Sequence, residues 1–273
     1  MSDLALSVSS AFTGTNTGFP SASGFKQARI MSARSLRWTL RNLDGLVPSL
    51  TMPVALMLIF TYLFGGAIRT GATNYVTYVA PGILLLCASY GSSFTAVAVC
   101  QDMTGGIIDR FRSMDVHGTA LLTGHVLASV ARNAVSTILA FLVAFAIGFR
   151  PSAGPLEWLG VIGVMLLFVL TVTWLAAAIG MFTKSPESAG AVGFILMFVP
   201  YASSAFVPID TMPRWLRGFA NNQPVTSVLE SLRGLLLSGP VAPHIWAALA
   251  WCGGILIVSV SISGLAFRIR TAQ

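Results

Sequence analysis

The chain has 273 residues, of which 55% are hydrophobic and only 9% charged, whereas a soluble domain carries about 25% charged residues. So few charges cannot coat a soluble particle of this size, and the apolar residues fall in long runs close to the ~20 needed to cross hydrocarbon. The net charge of +7 comes from cations in loops beside those runs, which suits orientation in a bilayer better than nucleic-acid binding.

The stretch 1–24 is rich in Ser, Thr and Gly and has no Lys or Arg. It lacks the basic start and apolar core of a signal peptide, and we expect a disordered cytoplasmic tail. Residues 25–44 are expected to form an amphipathic interfacial helix, with a cytoplasmic extension of the first span as the alternative. At about 100° per residue, Lys26, Arg29, Arg34, Arg37 and Arg41 share one arc. Phe25, Ala28, Met31, Leu36, Trp38 and Leu43 lie opposite, which suits the headgroup boundary.

Six transmembrane spans are then expected within residues 45–273. They run from about Leu46 to Ile68, Tyr75 to Val99, Val126 to Phe149, Glu157 to Phe182, Ala189 to Val207, and Ile245 to Phe267. Long continuous apolar runs favour helices over the short alternating strands of a barrel. The expected fold is an all-α integral membrane bundle. Arg132 falls inside the third run, close enough to one end for its side chain to reach the interface.

Lys and Arg divide unevenly between alternate sides. Lys26, Arg29, Arg34, Arg37, Arg41, Arg110, Arg112, Arg132, Lys184, Arg268 and Arg270 make eleven on one side, against Arg69, Arg150, Arg214, Arg217 and Arg233 on the other. The richer side is expected to be cytoplasmic, which puts both termini inside the plasma (inner) membrane.

Between the second and third spans, residues 102–114 read as a short cytoplasmic helix. Asp102 is placed to cap it. Ile107, Phe111 and Met114 share one face, and Asp109 and Arg112 pair at i, i+3. Apolar and charged groups together outside the membrane suit either docking of a partner or rest on the lipid surface.

Residues 208–239, before the last span, read as an external re-entrant segment. Pro208, Pro213 and Pro224 fix its bends, and Trp215 suits the outer interface. Arg214, Arg217 and Arg233 have two equally suitable roles, contact with lipid phosphates or partner loops and simple anchoring. The helix carrying Leu229, Leu232, Leu235 and Leu236, with Glu230 and Arg233, is too short and too charged to span.

Enzymatic signatures are missing. No HExxH, GxSxG, Cys/His cluster or phosphate loop occurs. Cys87, Cys100 and Cys252 read as small embedded hydrophobes, and His117, His125 and His244 as solvated loop residues. No acidic residue is expected mid-span, which weighs against an ion-coupled carrier working alone. A membrane-embedded enzyme would gather polar residues at one depth, and no such cluster is visible in the sequence.

The run Gly106-Ile107-Ile108-Asp109-Arg110-Phe111-Arg112-Ser113-Met114 resembles the cytoplasmic coupling segment of daunorubicin-resistance-type ABC transporter permeases. Met212-Pro213-Arg214-Trp215-Leu216-Arg217, with Gln223-Pro224 and Arg233 downstream, resembles the type-2 ABC permease segment before the last span. The resemblance covers nearly everything after Phe25. It implies a non-catalytic permease that pairs with itself or a related permease, with the outer segment carrying Pro208, Pro213, Arg214, Trp215, Arg217, Pro224 and Arg233 as an external lid. Two separate ATPase subunits, which hold ATP and Mg, would dock at the coupling helix through Asp102, Ile107, Asp109, Arg110, Phe111, Arg112 and Met114. The second and fifth spans of such permeases line the path, which makes Phe94, Phe194, Phe198 and Tyr201 candidate wall residues. The alternative for these aromatics is packing or lipid contact. A hydrophobic drug or lipid is the implied cargo, and a lipid-linked saccharide is an alternative.

Overall fold

In a computed structural model, the structure describes residues 43–65, 74–105 and 118–271, and all regular elements among them are helical. The expected tail and interfacial helix lie almost wholly outside the described residues, as does the coupling segment from residue 106 onward.

Eight α-helices are described: α1 Leu43–Ile59, α2 Tyr75–Thr104, α3 Gly118–Ile147, α4 Pro155–Phe182, α5 Pro186–Phe198, α6 Arg214–Asn222, α7 Pro224–Leu236 and α8 Ala242–Thr271. Four of them, α2, α3, α4 and α8, are long and apolar enough to cross a membrane. A π-helical turn over Phe60–Phe64 extends α1 to Gly65.

The fifth predicted span differs from expectation. The helix stops at Phe198, tightens into a 3₁₀ turn over Val199–Ala202, and gives way to irregular backbone at Ser203. Pro200 explains the break, because it lacks an N–H and its ring collides with the carbonyl four residues earlier.

Helix boundaries follow local chemistry. Pro155 and Pro186 occupy first-turn positions in α4 and α5, where a missing N–H costs nothing. Ser185 caps α5 in a reciprocal box with Ser188. Arg150 donates to the carbonyls of Phe145 and Phe149 at 2.7 and 2.9 Å, closing the end of α3.

α2 is the hub. It packs on α1, α3, α4, α5 and α7, while α4 also packs on α3, α7 and α8. Small residues permit this crowding. A Cβ on Gly180 of α4 would lie 2.4 Å from the Ala96 carbonyl of α2, so only glycine lets the two backbones come this close. Outward faces stay apolar. Ile138, Leu142, Leu159, Ile162, Ile257 and Leu265 are all exposed, as lipid contact requires and water would not tolerate.

The buried interior is not uniformly apolar. A large cluster runs from Tyr75 to Tyr90 of α2 against Val161 to Val172 of α4 and the leucines of α7. A smaller one holds Val99, Leu122, Ala177, Met181 and Ala266. Buried Ser92, Thr95, Ser129, Asn133 and Thr173 occupy the positions between them.

Candidate functional site

That intervening layer is a hydrogen-bonded seam between antiparallel α2 and α3. Thr95 Oγ1 donates to Ser129 Oγ at 2.9 Å. Arg132 Nη2 donates to the Gly91 carbonyl at 2.9 Å and lies 3.3 Å from Ser129 Oγ. Asn133 Nδ2 donates to Ser92 Oγ at 3.3 Å, and Ser92 Oγ is 3.0 Å from Thr173 Oγ1, which brings in α4. A Cβ on Gly91 would lie 2.0 Å from Asn133 Oδ1, so a larger residue there would displace the Asn133 side chain from the seam.

Arg132 sits near the middle of α3, fourteen residues after Gly118 and fifteen before Ile147. Its head is turned inward onto α2, because a backbone carbonyl and two hydroxyls offer the hydrogen bonds that lipid lacks. Polar side chains are also gathered at one depth, contrary to the reading from sequence. The signal for this was the four-residue spacing of Ser129 and Asn133 on α3, facing Ser92 and Thr95.

The seam continues to the α2 C-terminus. His125 Nε2 lies 2.7 Å from Asp102 Oδ2, with each side chain about a quarter exposed. Asp102 is therefore not a helix cap, and His125 is not a solvated loop residue. Helix α2 runs on to Thr104 and α3 starts at Gly118, so both groups lie within helices. Ile107, Asp109, Arg110, Phe111, Arg112 and Met114 are outside the described residues.

At the opposite end of α2, the irregular backbone after Pro200 is enclosed by side chains. Tyr78 Oη donates to the Ser204 carbonyl at 2.9 Å, and Tyr75 Oη to that of Phe206 at 3.1 Å. Gln223 Nε2 donates to the Ala202 carbonyl at 2.7 Å. Arg233 Nη2 donates to the carbonyls of Ser204 and Tyr78 at 3.1 and 3.2 Å. Its Nη1 is 2.6 Å from Glu230 Oε1, which also accepts from Ser204 Oγ at 2.6 Å. The guanidinium lies 4.0 Å from the centre of the Tyr78 ring, within cation–π range. Non-helical backbone in a membrane protein requires such partners.

Arg233 thus faces inward, where the sequence left lipid contact open. Arg217 likewise donates to the carbonyls of Met212 and Asp210. Pro208 precedes a 3₁₀ turn over Ile209–Thr211, Pro213 precedes α6 and Pro224 opens α7. Arg214 and Trp215 on α6 are exposed. Leu229, Leu232, Leu235 and Leu236 of α7 are buried.

Beside α2 lies an open groove of about 670 Å³, walled by α1, α2, α5 and the 3₁₀ turn that follows α5. It brings together all four aromatics singled out from sequence. Phe94 comes from α2, Phe194 and Phe198 from α5, and Tyr201 from the 3₁₀ turn. Phe194 and Phe198 meet edge to face at 4.8 Å, and Phe198 and Tyr201 lie tilted at 5.4 Å. Tyr90, Tyr201, Ser93 and Thr51 add hydroxyls to an otherwise apolar wall. A second crevice of about 430 Å³, between α3 and α4, is almost wholly apolar and includes Phe141, Trp158 and Met165. Among the described residues there is no His, Cys, Asp or Glu cluster able to hold a metal, and Cys87, Cys100 and Cys252 are buried free thiols.

The profile of the ABC-2 type transporter family matches residues 26–237. The chain belongs to the ABC-2 type transporter family. The match runs from the basic stretch at Lys26 to the end of α7, so it includes the seam, the enclosed loop and the groove. The daunorubicin resistance ABC transporter permease protein DrrB1 of Streptomyces coeruleorubidus is 29% identical over 192 residues, covering 70% of this chain and 68% of its own length. A probable doxorubicin resistance ABC transporter permease protein, DrrC, of Mycobacterium tuberculosis is 23% identical over 233 residues, covering 85% and 84%. ABC transporter G family member 20 of Dictyostelium discoideum is 22% identical over 201 residues, covering 69% of this chain and 27% of that protein. In ABC-2 terms, this chain is a transporter permease, and its apolar helices suit a multi-pass membrane protein.

Proposed function

We propose that the chain is the membrane subunit of an ATP-driven exporter of a hydrophobic drug or lipid-like molecule. The observation that carries this reading is the groove that gathers Phe94, Phe194, Phe198 and Tyr201 in a chain related to drug-resistance permeases. Its wall is mainly apolar with a few hydroxyls, a composition that suits amphipathic cargo. The groove is open to one side, where a second permease, identical or related, would complete the path.

In this reading the chain crosses the inner membrane six times with both termini cytoplasmic. The fifth crossing runs from about Ala189 in α5 through the enclosed irregular backbone, with Glu187 outside it, and α6 and α7 form the outer segment. ATP and Mg belong to two partner ATPase subunits, which dock at the segment carrying Ile107, Asp109, Arg110, Phe111, Arg112 and Met114. Their closure would bias a two-state bundle.

The test is reconstitution with the ATPase subunit in vesicles, following a fluorescent anthracycline and a labelled lipid. ATP-dependent movement of either is expected. Replacing Asp109, Arg110 and Phe111 together with alanine should abolish transport and leave membrane insertion intact. Transport that survives the triple change would refute the docking assignment. Cargo movement by the chain alone, driven by an ion gradient, would refute the whole reading.

A further inference from the structure

Helices α3 and α4 both pack on α2, and between them they leave the crevice of about 430 Å³. Val130, Ala134 and Ile138 of α3 face Val161, Met165 and Val169 of α4 across it. Space remains because Ala134, midway along the α3 wall, is small and stays exposed. Thr137 brings the one hydroxyl of the lining, and that oxygen is itself covered. The crevice is therefore a trough of hydrocarbon, with no set of polar partners that could hold water. It shares no lining residue with the aromatic groove.

The length of the trough is informative. One end is closed by Trp158, in the first turn of α4, whose ring lies 5.6 Å from that of Phe141. The other end is Val169, at the middle of the same helix. These two residues are eleven apart, which is roughly 16 Å at 1.5 Å per residue and about half of the ~30 Å of bilayer hydrocarbon. The trough thus covers one leaflet, from headgroup level, where tryptophan is favoured, to the midplane. Its rims, Ile138, Ile162 and Leu166, are exposed and continue the lipid-facing surface of Leu142 and Leu159. Arg150, exposed just past the end of α3, adds a cation at the headgroup end.

We infer that this trough is a lipid site, holding one acyl chain of a phospholipid from the leaflet on the side of the α3–α4 connection. A chain that enters it from bulk lipid gains no hydrophobic free energy, because both surroundings are hydrocarbon. It gains dispersion contact on several sides, and it fills a void that would otherwise leave the walls without neighbours. Over this length α3 and α4 are then joined through the lipid chain. The inference needs the bundle to lie in a bilayer and is independent of any cargo.

The test uses the full chain in phosphatidylcholine vesicles doped with a phosphatidylcholine that carries a diazirine midway along one acyl chain. After illumination, labelled residues are mapped by mass spectrometry of the digested protein. Ala134, Ile138 and Ile162 should together label at least about fivefold more heavily than Leu249 and Trp251, which are exposed at a similar distance along α8. Ala134→Phe places a ring in the open space of the trough. It should lower labelling of the remaining trough residues at least about fivefold and leave labelling of α8 unchanged. Ile162→Trp fills the trough from the other wall and should do the same, so the outcome does not depend on one variant folding.

Equal labelling of the trough and of α8 overturns the inference, because it means ordinary contact with surrounding lipid. Labelling of the trough below that of α8 also overturns it, and shows that something else, such as a second copy of the chain, fills the space. Unchanged trough labelling in a folded filling variant overturns it as well. Failure of ATP-driven export in the same vesicles would sink the transport reading and leave the lipid site standing.

Discussion

Replacing Arg233 with methionine keeps most of the side-chain volume and removes the charge and the donors. Four interactions are lost at once: the 2.6 Å pair with Glu230, the donations to the Ser204 and Tyr78 carbonyls, and the contact over the Tyr78 ring. Breaking a buried ion pair from one side costs about 3–5 kcal/mol, because the remaining charge is stranded. Glu230 is about a quarter exposed and keeps its Ser204 partner, so water screens part of that cost. Hydrogen bonds to charged groups contribute about 1.5–3 kcal/mol, and these overlap with the pair and do not simply add. A net loss of roughly 2–4 kcal/mol follows. At about 2–4 °C per kcal/mol for chains near this size, melting of the detergent-solubilised protein should fall by at least about 4 °C.

Arg214→Met on α6 is the control. Arg214 is exposed, and surface changes of this kind stay within about 0.5 kcal/mol. A double-mutant cycle with Glu230→Gln should show coupling of about 1–3 kcal/mol. An Arg233→Met protein that melts within 1 °C of wild type, or a cycle with no coupling, would refute the claim that this arginine holds the irregular backbone in place.

Gly180→Ala should cost about 1–3 kcal/mol by overpacking against the Ala96 carbonyl, whereas Gly163→Ala, inside the same helix with open space around it, should melt at or slightly above wild type, because alanine favours the helix by up to about 1 kcal/mol. Phe194→Ala and Phe198→Ala remove exposed rings from the groove, so export should fall severalfold with little change in melting temperature, and an equal loss of both would point to packing instead. Glu187, in the first turn of α5, is held below the usual carboxylate range by its own backbone N–H and by the Ser185 side chain. A depressed folded pKa contributes stability above the unfolded value and loses it as pH falls through the folded one. The melting difference between wild type and Glu187→Gln should therefore be present at pH 7 and shrink on acidification below the ordinary glutamate range.

Much of the architecture was legible in the residues alone, because hydrocarbon imposes a length and a composition that few soluble helices satisfy. The runs that became α2, α3, α4 and α8 announce themselves by apolarity, and Pro155, Pro186 and Pro224 mark helix starts. The groove aromatics could be named because they sit on segments that the resemblance places along the path. What sequence could not supply was pairing across the bundle. Nothing local to Asp102 indicates His125, twenty-three residues away, and nothing local to Arg233 indicates Tyr78, at a separation of 155. The partners of Arg132 could not be read either, because snorkelling and inward hydrogen bonding look identical along one helix. Only the approach of Gly91, with its carbonyl bare of a side chain, decides between them. Hydrophobic pattern is a property of each segment, so one dimension carries it. The satisfaction of a buried polar group depends on which other segment comes near, and that is decided only when the helices pack.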